Sequence, residues 1–164
     1  MVNVLFVCLG NICRSPTAEG VFADVVQEAG LVDLIATDSA GTIAFHEGEP
    51  PDVRARETAL KHGVDIGHLR ARQFRADDFD RFEYILAMDG ENLRHLNLAR
   101  PDEYEGRLQL FLDFAPKRRG SEVPDPYQGG ARGFEKVFEL ITGASKGLLD
   151  AIVQEHYPDH ARGG

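Results

Sequence analysis

Apolar residues recur along the chain in two alternating rhythms. Val2 to Val7 form a short run of β-branched and apolar side chains, which predicts a buried strand. Gly10-Asn11 breaks the run. Ser15-Pro16-Thr17-Ala18-Glu19 then has the form of a helix start, with Ser15 as N-cap, Pro16 in the first helical position and Glu19 as a helix-start acid. Val21, Phe22, Val25 and Val26 continue it as an apolar stripe at helical spacing up to Gly30. The first thirty residues therefore predict strand, tight loop, helix.

The rhythm repeats. Leu34 to Ser39 predicts a second strand, Thr42 to Pro51 a loop, and Asp52 to His62 a helix ended by Gly63. Phe82 to Met88 predicts a third strand, after which Asp89 caps a helix through Leu98. Leu108 to Phe114 is a fourth strand or its approach, and residues 115 to 131, rich in Pro and Gly, form a long loop. Phe134, Val137, Phe138, Ile141, Leu148, Leu149 and Ile152 mark a long amphipathic helix ending near His156, weakened locally by Gly143 and Gly147. Residues 158 to 164 are expected to be a disordered tail.

Strands alternating with helices imply an α/β fold of three layers, a central four-stranded parallel sheet with helices on both faces. With no internal repeat or linker, residues 1 to 157 are expected to be a single domain. Ligands in such sheets bind where loops leave the carboxyl ends of strands. Cys8 sits just past the end of the first strand, at that edge.

Charge and cysteine content narrow the function. The formal net charge of the 164 residues is -9, which argues against a polyanionic partner such as nucleic acid or an anionic membrane, though not against one small anion at a local positive site. Cys8 and Cys13 are the only cysteines; their number and spacing fit neither a disulfide framework nor a zinc site. The N-terminal apolar run is short and follows no basic region, so it does not predict a signal peptide, and no stretch approaches the about 18 apolar residues of a membrane span. A cytoplasmic location is the expectation.

The chemistry gathers in Cys8-Leu9-Gly10-Asn11-Ile12-Cys13-Arg14-Ser15. Backbone N–H groups of a tight loop converge on one centre, and the following helix adds positive potential there. Gly10 and Asn11 tolerate the left-handed backbone that such a loop needs. Arg14 offers a planar fork for two phosphate oxygens. The same positive field favours the thiolate of Cys8 over its thiol. No Gly-Lys-Ser/Thr follows, so this is not a nucleotide-binding loop. Asp125, stiffened between Pro124 and Pro126, is the best candidate for an acid that protonates a leaving oxygen. Taken singly, Cys8 also fits a small buried hydrophobe at a strand end, and Asp125-Pro126-Tyr127 also fits a plain turn.

Together, Val4 to Phe22 and Asp125-Pro126-Tyr127 closely resemble the low-molecular-weight protein tyrosine phosphatases. The likeness extends to Thr37-Asp38-Ser39-Ala40-Gly41, Ala71-Arg72-Gln73, Tyr84 to Asp89 and Asn92-Leu93. It implies Cys8 as nucleophile, Arg14 as phosphate clamp, and Asp125 as general acid and then base. It also implies Asn11 as a loop-shaping residue and Ser15 as the hydroxyl donor to the Cys8 thiolate. Leu9, Gly10, Asn11, Ile12, Cys13 and Ser15 would hold the phosphate, and Cys13 would form a reversible, redox-sensitive disulfide with Cys8. Phe45 and Tyr127 would wall the pocket. The implied substrate is a phosphotyrosine protein or aryl phosphate, with inorganic phosphate as product. The implied enzyme is a monomer with no metal or other cofactor and no nucleic-acid or membrane partner.

Two departures stand out. Family members often carry two tyrosines after Asp-Pro, whereas Tyr127 is followed by Gln128. The family also tends to place a histidine shortly before Ala-Arg-Gln, bonded behind the loop. His68 stands one position too early, and either joins Glu19 and Asp38 there or is a solvated loop residue. Two alternatives share the fold. Arsenate reductases relay oxidation through later cysteines, and none follows Cys13. Protein-arginine phosphatases tend to have Thr at the position of Ile12.

Overall fold

A computed structural model describes residues 1–126 and 129–160. Four parallel strands form its centre: β1 (Val2–Cys8), β2 (Ile35–Gly41), β3 (Tyr84–Ala87) and β4 (Arg107–Leu110), in the order β2-β1-β3-β4. The helices are α1 (Arg14–Glu28), α2 (Val53–Lys61), α3 (Asp78–Arg81), α4 (Gly90–Ala99) and α5 (Gly130–His156).

The run from Val2 to Cys8 lacks apolar–polar alternation because both faces of β1 are covered. Val2, Val4, Phe6 and Cys8 point into a core shared with α1, α2 and α5. Leu5 and Val7 point the opposite way, towards Phe79, Phe82 and Leu96 of the α3–α4 side. The same parity holds in β3, where Tyr84 and Leu86 face one core and Ile85 and Ala87 the other. This is the three-layer arrangement implied by the sequence.

Several boundaries differ from expectation. The fourth strand ends at Leu110, and Phe111–Phe114 turn into a 3-10 helix that packs beneath α5. Gly147 permits that packing, since a β-carbon there would collide with the Phe114 carbonyl. The glycine thus fits α5 to its neighbour. The short α3 has no apolar period to announce it; buried Asp78 holds it in place, accepting from the Arg75 amide at 2.8 Å and from Arg72. Pro158–His160, assigned to the tail, form a 3-10 turn. As expected, Asp89 caps α4, accepting from the Asn92 amide at 2.8 Å; Asp52, expected as the first helical residue, instead caps α2, accepting from the Arg54 amide at 2.8 Å.

Candidate active site

The carboxyl end of β1 runs directly into residues 9–13, which wrap around the Cys8 sulfur. Asn11 supplies the turn with φ of 59°, a left-handed conformation that asparagine tolerates. Its amide donates to Cys8 Sγ at 3.3 Å. Ser15 Oγ lies 3.0 Å from the same sulfur. Ser15 Oγ accepts from Asn11 Nδ2 at 2.8 Å, which leaves its own proton facing Cys8 Sγ at 3.0 Å and the Ala40 carbonyl at 3.4 Å. Ser15 is therefore not the helix N-cap. Cys13 occupies the cap position, without a side-chain cap bond, and the Ser15 hydroxyl is turned back to the sulfur.

A chain of polar groups holds this arrangement from behind. Asn11 Nδ2 also donates to Ser39 Oγ at 2.9 Å, and the Ser39 hydroxyl donates to Glu19 Oε1 at 2.7 Å. The Arg72 amide donates to Asn11 Oδ1 at 3.0 Å. The Arg72 guanidinium in turn bridges Asp38 and Asp78. Glu19 is thus part of the loop's support rather than a helix-start acid. Burial pushes its carboxyl up to about 7, with nearby Asp38 adding to the rise and the Ser39 bond and Arg72 opposing it. His68 is exposed and makes none of these bonds.

At the front, Arg14 is 4% exposed. Its Nη1 donates to Asp89 Oδ2 at 2.7 Å and to the Val123 carbonyl at 3.1 Å. Burial alone would disfavour the guanidinium charge, but Cys8, Asp89 and Asp125 outweigh it and hold Arg14 above its ordinary range. Val123 is itself pinned just past the end of β3, its amide donating to the Met88 carbonyl at 2.8 Å. That bond brings the proline-rich segment over the loop.

Cys8, Leu9, Gly10, Ile12, Cys13, Arg14 and Asp125 together line a cavity of about 490 Å³, closed on one side by Ile43 and His46. Asn11 and Ser15 stand behind it. Phe45 is 79% exposed and stands outside the lining, edge-on to His46 at 4.8 Å. The wall expected of Phe45 is supplied by its neighbour. Tyr127 and Gln128 lie outside the described residues. Cys8 and Cys13 are both free thiols. Burial pushes the Cys13 thiol up to about 12, helped by Asp52, Cys8 and Asp125. Among the described residues no group of His, Cys, Asp or Glu is arranged to hold a metal ion.

A deep sulfur ringed by loop donors, with an arginine and a carboxylate on the same cavity, has counterparts among known proteins. The sequence profile described as low molecular weight phosphotyrosine protein phosphatase matches residues 3–157. The chain belongs to that family. A low molecular weight protein-tyrosine-phosphatase of Streptomyces coelicolor is 43% identical over 93% of this chain and 94% of its own. A low molecular weight phosphotyrosine protein phosphatase of Schizosaccharomyces pombe is 43% identical over 92% of this chain and 97% of its own. The crystal structure of a protein tyrosine phosphatase from Entamoeba histolytica, with Hepes in its active site, superposes with a TM-score of 0.88 at 38% identity. It covers 94% of this chain and 98% of that one.

Family membership leaves the support residues of this chain to the geometry. Ser39, Arg72, Asp89 and Val123 were not assigned to the site from sequence, although three of them lie in or beside the segments that carry the resemblance. Their partners are 28, 61, 75 and 109 positions away, so no local period reveals them. Gly41 belongs with them. A β-carbon there would meet the Leu9 carbonyl oxygen at 2.7 Å, so the end of β2 supports the loop only as glycine.

Proposed function

We propose that the protein hydrolyses phosphotyrosine in proteins, and aryl phosphates, through a phosphocysteine at Cys8. The observation that carries this reading is the pair of donors, the Asn11 amide and the Ser15 hydroxyl, converging on Cys8 Sγ inside a cavity shared with Arg14 and Asp125. The attacking species is the thiolate, whose sulfur lies within hydrogen-bond reach of both groups.

Cys8 attacks phosphorus in line and the bond to the phenolic oxygen breaks. Asp125 gives that oxygen its proton, so tyrosine leaves neutral. Asp125, now a carboxylate, takes a proton from water as the water attacks the phosphocysteine. The sulfur–phosphorus bond breaks, phosphate departs, and the Cys8 thiolate is restored. Arg14 and the loop amides stabilise the equatorial oxygens in both steps. Asp89 and the Val123 carbonyl hold one guanidinium nitrogen of Arg14, so the clamp is set before substrate arrives. The cavity volume suits an aryl phosphate, with Ile12 and Ile43 against the ring.

Residues 1–157 act in this reading as one catalytic domain, a cytoplasmic monomer that needs no metal and binds neither nucleic acid nor membrane. No helix among the described residues is long and apolar enough to cross a membrane. A panel of phosphotyrosine and phosphoarginine peptides tests the substrate. Turnover of phosphotyrosine at least tenfold faster supports the reading; faster turnover of phosphoarginine assigns the protein to arginine dephosphorylation instead.

A further inference from the structure

We propose that the turn Lys117-Arg118-Arg119 and the cavity beside it form a docking site for a short acidic segment of a partner protein. In a chain whose formal net charge is -9, this is the only place where two basic residues adjoin. All three are exposed, and their side chains bond to no described residue. Elsewhere, surface arginines such as Arg54, Arg94 and Arg107 are paired with carboxylates. The turn is thus a local concentration of unpaired positive charge, which attracts an anion of matching size.

The backbone holds that charge in place. The Arg118 amide donates to the Ala115 carbonyl at 3.2 Å and the Ser121 amide to the Arg118 carbonyl at 2.8 Å, which makes two turns in succession. The Gly120 amide donates to Asp113 Oδ1 at 2.7 Å, and Gln109 Nε2 donates to Asp113 Oδ2 at 3.3 Å, so the turn is tied to β4. Lys117 has φ of 63° in the third position of a turn led by Pro116, a place that glycine or asparagine ordinarily fills. A lysine in that conformation points to a use for its charge. A surface ordered in advance gives up little freedom on binding.

Arg119 carries the site into a cavity of about 550 Å³, which it lines with Arg107, Gln109, Asp113, Gln154 and Glu155. This cavity shares no lining residue with that of Cys8. Its carboxylates are already engaged: Asp113 as described, and Glu155 by Arg107 at 3.0 Å and by the Tyr84 hydroxyl at 2.8 Å. The N–H donors of Arg119 remain open. A guanidinium takes a carboxylate through two parallel bonds, while Lys117 and Arg118 attract the carboxylates next in line. A short run of Glu or Asp fits this set. A nucleic acid or an anionic bilayer would extend beyond the turn and meet the carboxylates that give the chain its net charge.

Fluorescence anisotropy with a fluorescein-labelled hexaglutamate peptide tests the site on the intact chain. Wild type should bind the peptide saturably, and more weakly as salt is raised. The triple variant Lys117→Gln, Arg118→Gln, Arg119→Gln should bind about tenfold more weakly or worse, the sum expected of three exposed ion pairs. It should keep the wild-type melting temperature and the wild-type rate on p-nitrophenyl phosphate. Inorganic phosphate should leave the peptide bound. Equal affinity of wild type and the triple variant overturns the proposal. So does displacement by inorganic phosphate, which would put the peptide at Cys8. Co-sedimentation with phosphatidylserine vesicles is the second arm: vesicle binding stronger than peptide binding, and lost in the triple variant, would assign the turn to a membrane surface instead. Binding is read without turnover, so its outcome stands apart from that of the phosphatase reading.

Discussion

Arg14 Nη1 and Asp89 Oδ2 meet at 2.7 Å, joining the start of α1 to the residue two positions past the end of β3. Asp89 has a second duty, since its other oxygen caps α4. One carboxylate thereby fixes the clamp and a helix together. With Nη1 anchored, the rest of the planar guanidinium keeps a single orientation towards the cavity.

Arg14→Lys should lower kcat by about 10²-fold or more despite keeping the charge. An ammonium is a point charge and cannot hold Asp89 while gripping two phosphoryl oxygens. Steady-state kinetics on p-nitrophenyl phosphate decide the matter: near-normal kcat would reduce Arg14 to a diffuse electrostatic role.

Asp125→Asn should cost about 10²–10⁴ in rate for a phenyl phosphate. The loss should shrink as the leaving phenol becomes more acidic, because a good leaving group needs no proton. A series of substituted aryl phosphates measures this. An equal loss across the series would make Asp125 a structural turn residue.

The layers and the phosphate loop were largely legible in the sequence because each rests on local information, whereas the strand order β2-β1-β3-β4 came only from the structure. The continuous apolar run of β1, the cap at Asp89 and the Gly10-Asn11 break are all short-range signals. What escaped was the support behind the loop. Glu19 looks like a helix-start acid until β2 brings Ser39 against it, and His68 looks like a candidate until the segment places Arg72 there instead. Ser15 has the sequence of an N-cap, yet its hydroxyl lies against the sulfur seven positions earlier, the place that the family resemblance implied for it. Phe45 has the chemistry of a wall, but the loop turns His46 inward. For Glu19 and Arg72, contacts formed by residues far apart in the chain overrode the local pattern.

Glu19→Gln should stabilise the protein at pH 8 and leave it nearly unchanged at pH 5. Glu19 titrates near 7 in the folded chain, above its ordinary carboxyl value, so the native state holds the proton more tightly. Its contribution is present below the unfolded value and is lost as pH rises to about 7. Urea unfolding at the two pH values checks the sign. Weaker stability of Glu19→Gln at pH 8 would mean that Arg72 satisfies an ionised Glu19.

Mild peroxide should inactivate the enzyme reversibly. Cys8 is oxidised to a sulfenic acid, and the Cys13 sulfur then attacks it, forming the disulfide with loss of water. Cys13 is held as a thiol at neutral pH, so trapping should quicken as pH rises towards its value of about 12. Intact-mass spectrometry should find a loss of two hydrogens, reversed by dithiothreitol. Over-oxidation of Cys8 at the same rate in wild type and Cys13→Ala would remove Cys13 from any protective role.

Rapid quenching of a phosphotyrosine reaction in acid, followed by peptide mass mapping, tests the central claim most directly. A phosphoryl group on the peptide containing Cys8, formed within one turnover and absent in folded Cys8→Ser, is the predicted result. Steady hydrolysis by Cys8→Ser at the wild-type rate, with no phosphocysteine in either protein, would contradict it.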